Sequence, residues 1–188
     1  MSDRLIIVGI TGVARSGKDT IAGILCQRFG FTRIALADGV RSAFRDMDGP
    51  TWELTKQLEA CGKSSRWALQ QLGTEARWKA NAHGVWLYLA HTKIRYLAYI
   101  HPEPRARFVI PDIRFEAERD YFRLMLGERF RLWKVLRTGA GLSGEAAIHP
   151  SETGVATMRA DLLIPNDGTA ADLERVVSIY ATQLAEAP

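Results

Sequence analysis

Residues 12–20 read Gly-Val-Ala-Arg-Ser-Gly-Lys-Asp-Thr and follow directly on the apolar run Leu5-Ile6-Ile7-Val8-Gly9-Ile10. An unbroken apolar, β-branched run of this length is the pattern of a strand covered on both faces. From Asp19 to Phe29 the apolar positions Ile21, Ile24, Leu25 and Phe29 recur at helical spacing, and Gly30 stands where a helix commonly stops. A glycine-rich turn held between a buried strand and a helix is the required context of the GxxxxGK phosphate loop. Glycine lets the backbone curl so that successive N–H groups converge on an anion, and the helix start adds partial positive charge. Gly12, Ala14, Arg15, Ser16, Gly17, Lys18, Asp19 and Thr20 are therefore the expected phosphate contacts. Lys18 is expected to reach the β- and γ-phosphates of a nucleotide, and Thr20 the α-phosphate.

The position after the lysine usually carries a hydroxyl that binds Mg²⁺; here it is Asp19. A carboxylate is also a hard oxygen ligand, and it is equally a good residue for a helix start. Both readings of Asp19 stay open.

The rest of the chain alternates strand and helix patterns. Strands are expected over 31–36, 108–112, 130–136 and 162–164, and helices over 40–47, 64–74, 85–100, 114–126 and 170–185. That alternation implies an α/β fold, a parallel sheet with right-handed crossovers. With 188 residues, 47% of them hydrophobic, one domain with a substantial core is expected. Between Arg137 and Met158 lie Gly139, Gly141, Gly144, Pro150 and Gly154, so residues 138–158 read as a lid.

A second chemical feature is Val109-Ile110-Pro111-Asp112-Ile113-Arg114. An acid at the end of a buried strand lies at the carboxyl edge of the sheet, where open α/β folds bind ligands. Asp112 is placed to hold the water shell of Mg²⁺ and Arg114 to grip a phosphate; a plain loop ion pair between them is the competing reading. The net charge of +4 comes without a run of five like charges, which favours scattered arginines around small polyanions over a nucleic-acid stripe. Cys26 and Cys61 stand outside any metal-ligand spacing. No long apolar span exists, so a cytoplasmic, soluble protein is expected, without membrane or stable nucleic-acid partners.

Taken in order, these pieces resemble the deoxynucleoside monophosphate kinases of tailed bacteriophages, within the P-loop kinase superfamily. The matching segments are Arg15 to Thr20, Leu36-Ala37-Asp38 with Arg41, Leu69 to Glu75, Val109 to Phe115, His149-Pro150-Ser151-Glu152 and Asn166-Asp167-Gly168. The resemblance implies a P-loop kinase fold with five parallel strands, and ATP- and Mg²⁺-dependent transfer to a deoxynucleoside monophosphate. It implies Lys18, Asp112, Arg114 and Arg137 as catalytic residues, with Asp19 and Asp112 toward the metal. Asp38, Arg41, Arg66, Gln70, Thr74 and Arg114 become acceptor contacts, His149 and Glu152 lid contacts, and Asn166 and Gly168 neighbours of the adenine. A homodimer fits the family. Kinases of other small acceptors, dephospho-coenzyme A among them, are close rivals, and a nucleotide-driven switch or NTPase is the rival from another class.

Overall fold

The computed structural model describes residues 5–75, 84–100, 106–143 and 150–186. Strand β1 (Leu5–Thr11) leads through the glycine turn into α1 (Lys18–Phe29), followed by β2 (Thr32–Arg33), α2 (Ala37–Asp48), α3 (Glu53–Ala60) and α4 (Ser65–Gln70). Then come α5 (Val85–Ile100), β3 (Ala106–Ile110), α6 (Glu116–Leu126), β4 (Phe130–Leu136), α7 (Pro150–Thr157), β5 (Leu162–Pro165) and α8 (Ala170–Glu186). Among the described residues, no helix is long and apolar enough to cross a membrane.

The five strands form one sheet in the order β2-β3-β1-β4-β5, and every pairing is parallel. β1 is therefore central, with β3 on one side and β4 on the other. Its carboxyl end, where the glycine turn begins, lies beside the carboxyl ends of both neighbours. On one face Val8, Ile10, Val109, Trp133, Val135 and Ile164 pack with Ile21, Leu25, Leu173 and Val177. Each fully buried aliphatic side chain of this kind contributes about 1.5–3 kcal/mol. Phe122 and Phe130 are also fully buried and stack with ring centroids 5.6 Å apart. Gly9 makes room for them, since a Cβ there would stand 2.8 Å from the Phe130 ring.

The chain divides into two compact units, residues 1–35 with 96–188, and residues 36–95. The first carries the whole sheet. The second is helical, and three features of the chain depart from the sequence expectation. The run 31–36 pairs as a strand only at Thr32 and Arg33, which meet Phe108 and Val109. Helix α3, which the sequence reading did not foresee, has no fully buried residue; it is tied down by Asp48, whose carboxylate accepts from Thr55 N and Thr55 Oγ1 at 2.7 Å each. Ser64 does cap α4, accepting from Trp67 N. Gly73 does not end that helix, however, because a π-helical turn carries it through Gln71–Glu75.

Candidate functional site: the phosphate loop and its surroundings

The loop's shape is written in its glycines. Gly12 has φ +149° and Gly17 φ +107°, both in the region that L side chains avoid. A Cβ on Gly12 would also lie 2.7 Å from Ser16 Oγ and 2.8 Å from Val135 O; one on Gly17 would lie 2.3 Å from Asn166 Nδ2. Arg15 is a non-glycine residue at φ +65°, the strained bend that turns the backbone inward. Asn166, at the end of β5, fixes the loop from beneath. Its Nδ2 donates to the Ser16 carbonyl at 2.7 Å, and its own N–H donates to Leu136 O. Ser16 Oγ and Thr11 Oγ1 are buried hydroxyls without a hydrogen-bond partner.

Lys18 opens α1 and is only 9% exposed. Its Nζ donates to the carbonyls of Gly12 and Val13, 2.7 Å each. Burial, and then the neighbouring Arg114, lower its pKa to about 8, against the opposing pull of Glu152, Asp19 and Asp112. Asp19 and Thr20 point outward from the first turn. Asp19 makes no capping bond; its carboxylate pairs with Arg33 at 3.1 Å while staying 86% exposed.

Asp112 and Arg114 follow β3, next to the loop. Ile113 N donates to Ile10 O, which joins the two strand ends. The turn is held by the buried Glu118, whose Oε2 accepts from Arg114 N (2.7 Å) and Phe115 N (3.1 Å). The Arg114 guanidinium reaches Glu152 Oε1 at 2.5 Å.

Glu152 lies in α7, a helix within the span expected to be a lid. It is 8% exposed, and its other oxygen accepts from the Ala14 N–H at 2.9 Å. Val155 and Met158 are buried, and Lys134 Nζ donates to the carbonyls of Ala156 and Met158. A cavity of about 400 Å³ opens beside these groups, lined among others by Val13, Lys134, Arg137, Thr138, Val155 and Asp167. Arg137 is exposed at its edge, and Asp167 Oδ1 accepts from Thr138 N. Asp167 thus lines the cavity, whereas Asn166 is committed to the loop backbone and Gly168 packs on Asp172 at the start of α8. Among the described residues no three His, Cys, Asp or Glu side chains cluster closely enough to hold a metal alone.

Of the expected acceptor contacts, Asp38, Arg41, Arg66, Gln70 and Thr74 belong to the second unit. There Arg41 pairs with Asp38 at 3.3 Å, and Lys93 stands 3.9 Å from the same carboxylate. Arg66 is exposed. His149 lies outside the described residues. The sequence reading passed over Glu118 and Lys134, and took Asp167 only as the middle of the segment 166–168.

No family model matches the chain. A protein of Acanthamoeba polyphaga mimivirus, provisionally named a deoxynucleotide monophosphate kinase, is 26% identical over 181 residues, covering 88% of this chain and 90% of its own. Among solved structures, TT1252 from Thermus thermophilus is 24% identical with a TM-score of 0.55, over 97% of this chain and 99% of its own. A dephospho-CoA kinase from Campylobacter jejuni is 18% identical with a TM-score of 0.51, over 96% and 98%. A sugar kinase from Janibacter sp. HTCC2649 is 16% identical with a TM-score of 0.53, over 96% of each. At these identities the solved structures speak for the fold, which is that of the P-loop kinases. The motif resemblance to deoxynucleoside monophosphate kinases is matched by the viral relative.

Proposed function

We propose that this chain is a kinase that transfers the γ-phosphoryl of ATP to a deoxynucleoside 5′-monophosphate, giving the diphosphate. The observation that carries the reading is the phosphate loop itself. Its inward-turned backbone ends in a buried lysine and adjoins Arg114 and Asp112 at the carboxyl edge of the sheet. The viral relative, aligned over nearly the whole chain, supports the acceptor class.

Phosphoryl transfer needs positioning and charge neutralisation more than covalent chemistry. Lys18 neutralises charge on the β/γ-phosphates, and Arg114 grips a phosphate through its planar fork. Arg137, at the rim of the cavity beside the loop, adds positive charge where the transferring group develops its own. The cavity walled by Val13, Thr138 and Asp167 accommodates the nucleoside end of ATP. Within the helical unit, Arg41 is the residue assigned to the acceptor's phosphate. The attacking phosphate oxygen is already anionic, so no general base is required.

The oxygen donors present fit magnesium. Asp112 follows the strand end, the exposed Asp19 lies in the first turn of α1, and Ser16 Oγ is a buried hydroxyl without a partner. A site with few protein ligands suits an ion that keeps several waters and binds mainly through substrate phosphates. When bound, Mg²⁺ supplies charge neutralisation at the β- and γ-oxygens.

The test is ADP release with ATP and Mg²⁺ against a panel of dNMPs, NMPs and dephospho-coenzyme A. Turnover on one or more dNMPs is expected, reduced by about 10²–10³ or more in Lys18→Ala. Turnover on none of them, with ATP still bound, would refute the proposal.

A further inference from the structure

Glu152 is an unusual occupant of a phosphate loop. Its carboxylate is nearly buried, accepts from the Ala14 N–H, and binds the Arg114 guanidinium with its second oxygen. Those two donors belong to the groups that a phosphate would use: a backbone N–H of the inward-turned loop and the arginine beside it. The contact joins residues 138 positions apart, so it is no accident of local chain geometry. Lys18 is turned onto the carbonyls of Gly12 and Val13, and Ser16 Oγ stays unpartnered within the same loop.

Resting on the reading that residues 12–20 bind phosphate, the geometry points to the Glu152 carboxylate as a resident counter-anion of the loop, which an entering phosphate must displace. Arg114 meets Glu152 through one nitrogen, Nη1, but the Ala14 N–H is a single donor held by the other carboxylate oxygen. A phosphate that takes the Ala14 N–H therefore displaces the carboxylate from the loop. Helix α7 keeps its other anchors, the buried Val155 and the Lys134 bonds to Ala156 and Met158. The carboxylate thus competes with the ligand and couples the N-terminal turn of α7 to occupancy of the loop. Removing its charge removes the competitor.

Inorganic tripolyphosphate, titrated by calorimetry into the full chain without acceptor, isolates this step. Glu152→Gln keeps the shape and deletes the charge. It is expected to bind tripolyphosphate about tenfold more tightly than the unaltered protein, as when a fractionally populated competent state becomes dominant. Glu152→Ala serves the same comparison should the glutamine variant fail to fold. Equal or weaker binding by a folded variant overturns the inference and makes Glu152 a structural staple or a phosphate-site helper. Absence of tripolyphosphate binding in all these proteins would overturn both the inference and the phosphate-loop reading beneath it. Tighter binding by the variant upholds the inference even where no dNMP is turned over, an outcome that would sink the kinase proposal alone.

Discussion

Gly17 and Asn166 make a sharp test of how the loop is held. Gly17→Ala introduces two separate faults. The first is backbone strain: φ +107° is foreign to an L residue and costs about 1–2 kcal/mol. The second is steric. The new Cβ would stand 2.3 Å from Asn166 Nδ2, so the amide must leave, and its buried bond to Ser16 O is lost. An unmade buried hydrogen bond costs roughly 1–3 kcal/mol. The sum is about 2–5 kcal/mol, a large part of the ~5–15 kcal/mol that holds a domain. For a chain of 188 residues that lowers Tm by about 4–20 °C. Asn166→Ala removes the same hydrogen bond and also the obstacle. The double variant should then bear the strain and one lost bond, not two. Thermal unfolding of the four proteins gives the cycle directly. The double variant is expected to be more stable than additivity allows by about 1–2 kcal/mol. Additive losses would show that Asn166 does not anchor the loop through the contact with Gly17 and Ser16, and would refute the reasoning.

Two further outcomes follow from the ion pairs and the buried lysine. Arg41→Ala breaks only an exposed pair with Asp38, so Tm should move by no more than about 1 kcal/mol's worth, while the acceptor KM should rise about tenfold or more; an unchanged KM would remove Arg41 from the acceptor site. Lys18 carries a pKa near 8 in the free protein, set by burial and Arg114 against Glu152, Asp19 and Asp112. Tripolyphosphate affinity should therefore fall as pH rises through about 8, because the ammonium loses its proton there, and Lys18→Met should lack that step. Stability runs the other way. The unfolded lysine holds its proton up to about 10.5 and the folded one to about 8, so between them the folded state binds fewer protons and this group's contribution rises with pH. Chemical denaturation of the unaltered protein and Lys18→Met at pH 7.5 and 9.5 reads the difference; a lysine-bearing protein that loses ground relative to the variant at the higher pH would contradict the assigned pKa.

What the sequence disclosed and what it withheld divide along a physical line. The loop was legible because its unusual torsions demand glycine at 12 and 17, and residue type reports torsion directly. Strand β1 was legible because a strand covered on both faces is nearly continuously apolar, and β3 and β4 through the apolar stretches Phe108-Val109-Ile110 and Leu132-Trp133 within them. Helix α3 was not, since its two leucines, Leu54 and Leu58, are only half-buried and its anchor is Asp48, two turns of chain away. Helix α7 was read as part of a glycine-rich lid because no local pattern outweighs Gly154; it is defined by Glu152 and Val155 meeting distant partners. The helix expected over 64–74 gives way to a π-helical turn at Gln71–Glu75, a change of hydrogen-bond spacing that residue type does not report. The two side chains that hold the phosphate loop, Asn166 from beneath and Glu152 from above, come from positions 150 and 138 residues downstream of their partners. A local motif therefore announces what the loop can bind, while the groups that set how readily it binds are supplied by contacts that no local spacing records. That is why Asn166 was read as a neighbour of the adenine and Glu152 as a lid residue above the nucleotide. In the structure the polar atoms of both contact the loop itself. Substitution at either should alter phosphate affinity before it alters the sheet.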